Sequence, residues 1–186
     1  MVVAKEAECQ LKLIELLKKH AIERTYFCIV KGVIKKPGRI ETQLGRHPNQ
    51  RIKMAVVNAG KKAITHYWPR EHFNHFTALK VQLETGRTHQ IRVHMHHLEH
   101  TLVGDPLYGN SNRIPAGVDA ELKTIIRNFP RQALHAHKLA FTHPITQKQI
   151  STSAPIPDDL CHLMDDLYEL DSPDTENDDF VVEYVE

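Results

Sequence analysis

TALKVQLETGRTHQIRVHMHHL, residues 77–98, changes its periodicity once, and that change decides the fold class. Over 77–84 the residues alternate, with Leu79, Val81 and Leu83 on one side and Ala78, Lys80, Gln82 and Glu84 on the other. A period of two is a strand with one buried face. Thr85-Gly86 breaks it. Ile91, Met95 and Leu98 then fall at helical spacing, with Thr88 as the expected cap. A strand running through a Gly break into a helix leaves N–H groups pointing outward at the helix start. Arg87 and His89 stand at that mouth, which suits an anion. Arg92 lies one turn further in beside Ile91. So close to the apolar face, a guanidinium demands a bidentate acidic partner. On spacing alone, a helix with solvated basic residues is the plainer alternative.

Outward from this segment, helices are expected at 6–20, 119–128 and after Pro155-Ile156-Pro157, where Leu160, Leu163, Met164 and Leu167 are apolar. In the first, Ala7, Leu11, Ile14 and Leu17 form the apolar stripe. Strands are expected at 24–32 and 133–142, with short β-like stretches such as 54–57 and 63–68 between polar breaks over 39–70. Residues 101–118 read as a Gly/Pro/Asn-rich loop, in which Asp105 is a turn former before it is a nucleophile or base. Strands and helices without a βαβ rhythm give an α+β fold: a mixed, mainly antiparallel sheet flanked by helices. The folded part is expected over 1–170, with 171–186 an acidic, disordered tail.

The formal net charge of +1 hides a division. Residues 158–186 hold 12 acids and neither Lys nor Arg, so residues 1–157 hold all 24 Lys and Arg against 11 acids, a net of +13. Such a body calls for a polyanion, nucleic acid first. Arg46, Arg51, Lys53, Lys61 and Lys62 are candidates to track a phosphate backbone, with a solvated loop as the alternative. No apolar run reaches membrane-spanning length, and charges interrupt residues 1–20 where a signal peptide would be apolar. Three widely spaced cysteines imply a reducing, cytoplasmic setting. His96 and His100 lie four apart, but the acid between them is misplaced for a zinc hydrolase, so no metal is expected. Tyr26 is a half-buried strand aromatic or a base-stacking ring.

Several stretches together resemble one family. LETGRTHQIRVHMHHLEHTLVGDPLYG resembles the signature of the large-subunit ribosomal RNA pseudouridine synthases. Arg24-Thr25-Tyr26 resembles their tyrosine strand. RHPNQRIKMAVVNAGKKAITHY and RQALHAHKLAFTHPI resemble the synthase D branch. The resemblance covers roughly residues 1–165. It implies isomerisation of uridine to pseudouridine in large-subunit RNA by a monomer, without cofactor or metal and on a flipped-out base. It implies that Tyr26 stacks on the uracil and that Arg92 pairs with a nucleophilic Asp. That Asp belongs to a segment like R-L-D-x-x-T-x-G, which this chain lacks, and neither Asp105 nor Asp119 matches it. The expectation is therefore a C-terminal portion of the catalytic domain, inactive alone. Arg92 would be unpaired at a cost of about 3–5 kcal/mol, with a sheet edge and apolar surface exposed. A catalytically dead RNA-binding remnant and a His-rich metal protein are the alternatives.

Overall fold

In the computed structural model, residues 2–109 and 113–173 are described. The chain order is α1 (Ala7–Lys18), β1 (Ile22–Lys31), β2 (Gly38–Arg46), β3 (Met54–Val56), β4 (Lys61–His72), β5 (Phe76–Leu83) and α2 (Gln90–His97). It continues with α3 (Ala120–Asn128), β6 (Leu134–Thr142), β7 (Gln149–Ser153) and α4 (Asp158–Leu170). The strands form one sheet in the order β3-β2-β4-β5-β1-β6-β7, with every pairing antiparallel. The fold is α+β, as the change of period implies.

Successive side chains of a strand point to opposite faces, and β1 uses both. Cys28 and Val30 join Leu79, Val81 and Ile40 under Ile91 and Met95 of α2. Phe27 and Ile29 face the other way, with Ala78, against Leu122 and Ile126 of α3 and Leu160, Leu163 and Leu167 of α4. The first half of β5 is thus covered on both faces, not one as its alternation implies; only its second half alternates in burial. β7 had no expected counterpart. Its five residues, QISTS, are all exposed, so no inward face marks it in the sequence.

Three further expectations change. The apolar stripe of α1 is present but uncovered: Leu11, Ile14 and Leu17 are exposed and the helix buries no residue. Thr88 does not cap α2; His89 occupies that position in a left-handed conformation, φ 56°. Asp171, at the head of the expected tail, belongs to the folded body. It is buried, and its carboxylate accepts from His75 N–H at 2.8 Å and meets His75 Nδ1 at 2.6 Å. Residues 174–186 of that tail lie outside the described residues.

α2 is fixed to the sheet by polar groups. His94 is fully buried between two hydroxyls, with Nδ1 2.8 Å from Thr65 Oγ1 and Nε2 2.9 Å from Thr42 Oγ1. Burial, aided by His97, pushes its pKa down to about 4. Between about pH 4 and 6.5 the unfolded chain therefore binds the extra proton, and stability must fall as pH drops through that window. The expected loss is about 3 kcal/mol. Urea unfolding from pH 7 to 4 checks this against His94→Gln, in which that part of the pH dependence should vanish; equal slopes in the two proteins would refute it.

Candidate functional site

The turn between β5 and α2 is built around Gln90. Its side chain is buried and all four of its hydrogen-bonding positions are used. Gln90 Oε1 accepts from Thr85 Oγ1 at 2.8 Å and from Arg87 N–H at 3.0 Å. Gln90 Nε2 donates to Ile64 O at 2.9 Å and to Thr65 Oγ1 at 3.0 Å. Thr85 Oγ1 also accepts from Ile64 N–H at 2.8 Å. α2 has no side-chain cap; the amide instead fixes the 85–87 turn that leads into it.

Arg92 is paired. Its Nε and Nη2 donate to the two carboxylate oxygens of Asp105 at 2.8 and 2.7 Å. Asp105 Oδ1 also accepts the N–H groups of Leu107 and Tyr108, both at 2.9 Å. Asp105 is thus the turn former that its loop implies, and it is also the bidentate acid that Arg92 requires. The expectation of an unpaired Arg92 is overturned, because the partner is 13 residues downstream in the same chain. Burial opposes ionisation of Asp105, but Arg92 and the two N–H groups outweigh it, and its pKa falls below the usual carboxylate range. The hydrogen bond to Asp105 raises the pKa of Arg92 in turn. Gly104 makes the loop possible: its φ is +66°, and a Cβ there would collide with Arg131 O.

Tyr108 extends this group. The Arg92 guanidinium carbon lies 4.9 Å from the centre of its ring. The Tyr108 hydroxyl accepts Met54 N–H at 2.8 Å and lies 2.9 Å from His89 Nδ1. Met54 opens β3 opposite Arg46 of β2, so the turn carrying Arg51 and Lys53 stands beside this group. Arg46 is exposed, and its Nη1 donates to Arg51 O at 2.8 Å. Lys61 and Lys62 begin β4, paired with Leu44 and Gln43 of the same β2. Arg87 Nε donates to Lys62 O at 3.1 Å, while Lys62 Nζ pairs with Glu41 at 2.6 Å. Arg46, Arg51, Lys53, Lys61 and His89 therefore lie on the β3-β2-β4 side near α2, whereas Lys62, next to Ala63 on β4, alternates onto the opposite face with Glu41, and Arg87 leaves the turn before α2.

Tyr26 stands on the other flank of α2. It packs with the β1 and β5 cluster around Ile91, whereas Val93 and Tyr108 belong to the β2 and β4 side. At Arg24, two residues before Tyr26 on β1, opens a groove of about 410 Å³ lined also by Ile14, Leu17, Lys18, His20, Thr85, Gly86 and Arg87. Arg24 holds the turn, its Nη2 donating to Glu84 O at 3.0 Å, and its Nη1 lies against Gly86, where a Cβ would push the guanidinium aside. Burial lowers its pKa, an effect that neighbouring Tyr26 opposes. Its buried Nε has no partner among the described residues.

Asp105, Tyr108, Gln90 and Arg24 were not among the sequence candidates for the site. The D-x-x-Y spacing between Gly104 and Gly109 carried a signal for the first two, because an Asp accepting N–H groups two and three residues on is a turn signature. Arg24 and Gln90 gave none without the fold. Of the histidines, His96 lies tilted 6.2 Å from Tyr108, and His100 Nδ1 donates to Lys31 O at 2.8 Å. Among the described residues no three His, Cys, Asp or Glu side chains gather to hold a metal.

The Arg92–Asp105 pair is expected to be structural in the isolated chain. Arg92→Ala, which strands a buried carboxylate, should cost about 3–5 kcal/mol. Arg92→Ala with Asp105→Ala should cost less than the two single losses together, by on the order of 0.5–3 kcal/mol. Chemical denaturation of the four proteins checks this, and additive losses would refute it.

The family model described as RNA pseudouridylate synthase matches residues 1–97. The chain is 47% identical over 167 residues to ribosomal large subunit pseudouridine synthase D of Vibrio vulnificus, covering 90% of this chain and 51% of that protein. It is 49% identical over 164 residues to the protein of that name from Pseudomonas aeruginosa, with 88% and 51% covered. The chain thus spans about half the length of the curated relatives it matches. Human RNA pseudouridylate synthase domain containing 4 superposes with a TM-score of 0.71 at 20% identity, covering 94% of this chain and 72% of that one. Human RNA pseudouridylate synthase domain containing 1 gives 0.65 at 22%, with 92% and 76% covered. At such identity these two show a shared fold. With a match over residues 1–97, more than half of its length, the chain belongs to the RNA pseudouridylate synthase family.

Proposed function

We propose that this chain supplies the tyrosine and the RNA-holding surface of an enzyme that isomerises uridine to pseudouridine in large-subunit ribosomal RNA, in the cytoplasm and as a monomer. The observation that carries the reading is the groove at Arg24, two residues from Tyr26 on β1, where Arg24 and Arg87 bring two guanidiniums and Lys18 a third cation, with no acid among the lining residues. The reaction breaks the N1–C1′ bond, turns the uracil, joins C5 to C1′, and moves the C5 proton so that N1 ends protonated. Tyr26 stacks on the uracil and takes part in removing that proton. The acid that attacks or assists matches no residue of this chain and comes from sequence outside the 186 residues. Because Asp105 occupies Arg92, the guanidinium that meets this acid is Arg87. Arg92 is then a positioning residue, holding the 104–109 loop and Tyr108 against α2. Arg46, Arg51, Lys53, Lys61 and Lys62 neutralise phosphates of the surrounding stem-loop. No cofactor or metal takes part.

The 186-residue chain should bind large-subunit RNA with a steep salt dependence and form no pseudouridine. In a protein that also carries the acid-bearing segment, Tyr26→Ala and Arg87→Ala should each lower turnover by about 10²–10⁴-fold while RNA binding largely survives. Chemical detection of pseudouridine and filter binding are the measurements. Product from the 186 residues alone would refute the assignment of the acid, and full turnover in either variant would remove that residue's role. No product even with the segment restored would favour an RNA-binding protein without catalysis.

A further inference from the structure

The His89 backbone is left-handed at φ 56°, a conformation that a non-glycine residue adopts at a cost of about 1–2 kcal/mol. Its imidazole stands edge-on to Tyr108, ring centres 5.6 Å apart and planes at 80°. One placement of its proton satisfies every hydrogen-bonding group here. Met54 N–H can only donate, so the Tyr108 hydroxyl oxygen accepts from it at 2.8 Å. The hydroxyl's own proton is left to go to His89 Nδ1, 2.9 Å away. The neutral ring therefore carries its proton on Nε2. The other tautomer would aim two N–H groups at one oxygen and leave the hydroxyl proton without this acceptor. Nε2 has no partner among the described residues and is not one of their buried unpaired atoms, which are Arg24 Nε and Thr25 Oγ1. It faces solvent.

The charges around the ring keep it neutral. Partial burial lowers its pKa first; Arg92 on α2 and Arg46 on β2 lower it further, while Asp105 in the loop acts in the opposite sense and is outweighed. Tyr108, the remaining group in contact, is pushed up by burial and stays protonated. A neutral donor between two guanidiniums is a poor competitor for phosphate, which favours charged donors. It is well suited to an uncharged acceptor held nearby.

We propose that His89 reads RNA as a neutral hydrogen-bond donor, offering Nε2–H to a carbonyl or ring-nitrogen acceptor on a base edge, with Tyr108 fixing its tautomer. Phosphate contacts position an RNA and base contacts specify it, so this residue adds sequence preference to a surface otherwise made of cations. The inference rests on the RNA-binding reading above, and it splits into two measurements that fail separately.

Nitrogen-15 NMR of the 186-residue chain at pH 7 should show His89 protonated at Nε2 and bare at Nδ1, and Tyr108→Phe should relax it to a mixture of tautomers. A proton on Nδ1, or a charged ring at pH 7, overturns the proposal. Binding of a uridine-containing large-subunit RNA stem-loop is then followed against salt. His89→Gln, whose amide nitrogen reaches the place of Nε2, should stay within about 3-fold of wild type. His89→Ala should lose about 5–10-fold in affinity, the scale of one net hydrogen bond, with the salt slope unchanged. Lys53→Ala should instead reduce the slope by about one. A flattened slope in His89→Ala would make the residue a phosphate contact and overturn the proposal. A wild-type chain without salt-dependent binding would overturn the RNA reading itself, whatever tautomer the spectrum shows.

Discussion

The site depends on the side-chain amide of Gln90. A buried amide left unpaired costs a few kcal/mol, and this one is fully met only when β4, the 85–87 turn and α2 are all in place. Ile64 N–H donates to Thr85, Thr85 to Gln90 and Gln90 to Thr65, and Thr65 and Thr42 hold the two ring nitrogens of His94. Burial lowers the pKa of His94. A polar network of this kind specifies one arrangement where an apolar contact would tolerate sliding.

From that fixed helix the rest follows outward. Ile91 and Met95 seal the β1 and β5 side with Tyr26 against it. Val93 turns toward Leu44, Ala63 and Tyr108. Arg92, between them in sequence, captures Asp105 and draws the 104–109 loop in, and that loop brings Tyr108 to Met54 and His89. The two flanks of α2 therefore carry different chemistry: a ring and a cationic groove on one side, and a basic rim with a neutral imidazole on the other. A guanidinium already held in two bonds by a carboxylate of its own chain is a rigid structural part, whereas Arg87 is bonded through Nε to one carbonyl and lines the groove.

Much of this was legible in residues 77–98. The strand, the break and the helix are where the change of period puts them, and the demand of Arg92 for a bidentate acid followed from its place beside Ile91. Which acid met the demand was not legible, because Asp105 is distant in sequence and reads as a turn former, which it also is. β7 was invisible because an edge strand with five exposed residues carries no alternation. Thr88 does not cap because the helix begins one residue later, with His89 at the cap position, and the role of Gln90 was not legible because nothing local distinguishes a buried glutamine from a solvated one. The stripe on α1 was read correctly as a pattern, yet a pattern does not say what covers it, and Leu11, Ile14 and Leu17 are exposed.

The division of charge takes a different form in three dimensions. Six of the twelve acids beyond residue 157 lie on α4 or at its end. Asp158 and Asp159 sit in the first turn of α4, where the helix dipole favours negative charge. Asp159 also receives Arg131 in two bonds of 2.7 Å. Asp171 at the far end anchors the β4–β5 turn through His75. Through these two acids α4 is joined at both ends to the basic body, while Leu160, Leu163 and Leu167 bury its apolar face. The acids of α4 and the cations around α2 lie on opposite faces of one sheet, because α4 packs on the Ile29 side and α2 on the Val30 side. The sheet thereby separates the acids of α4 from the cations around α2, which a charge count along the chain could not reveal.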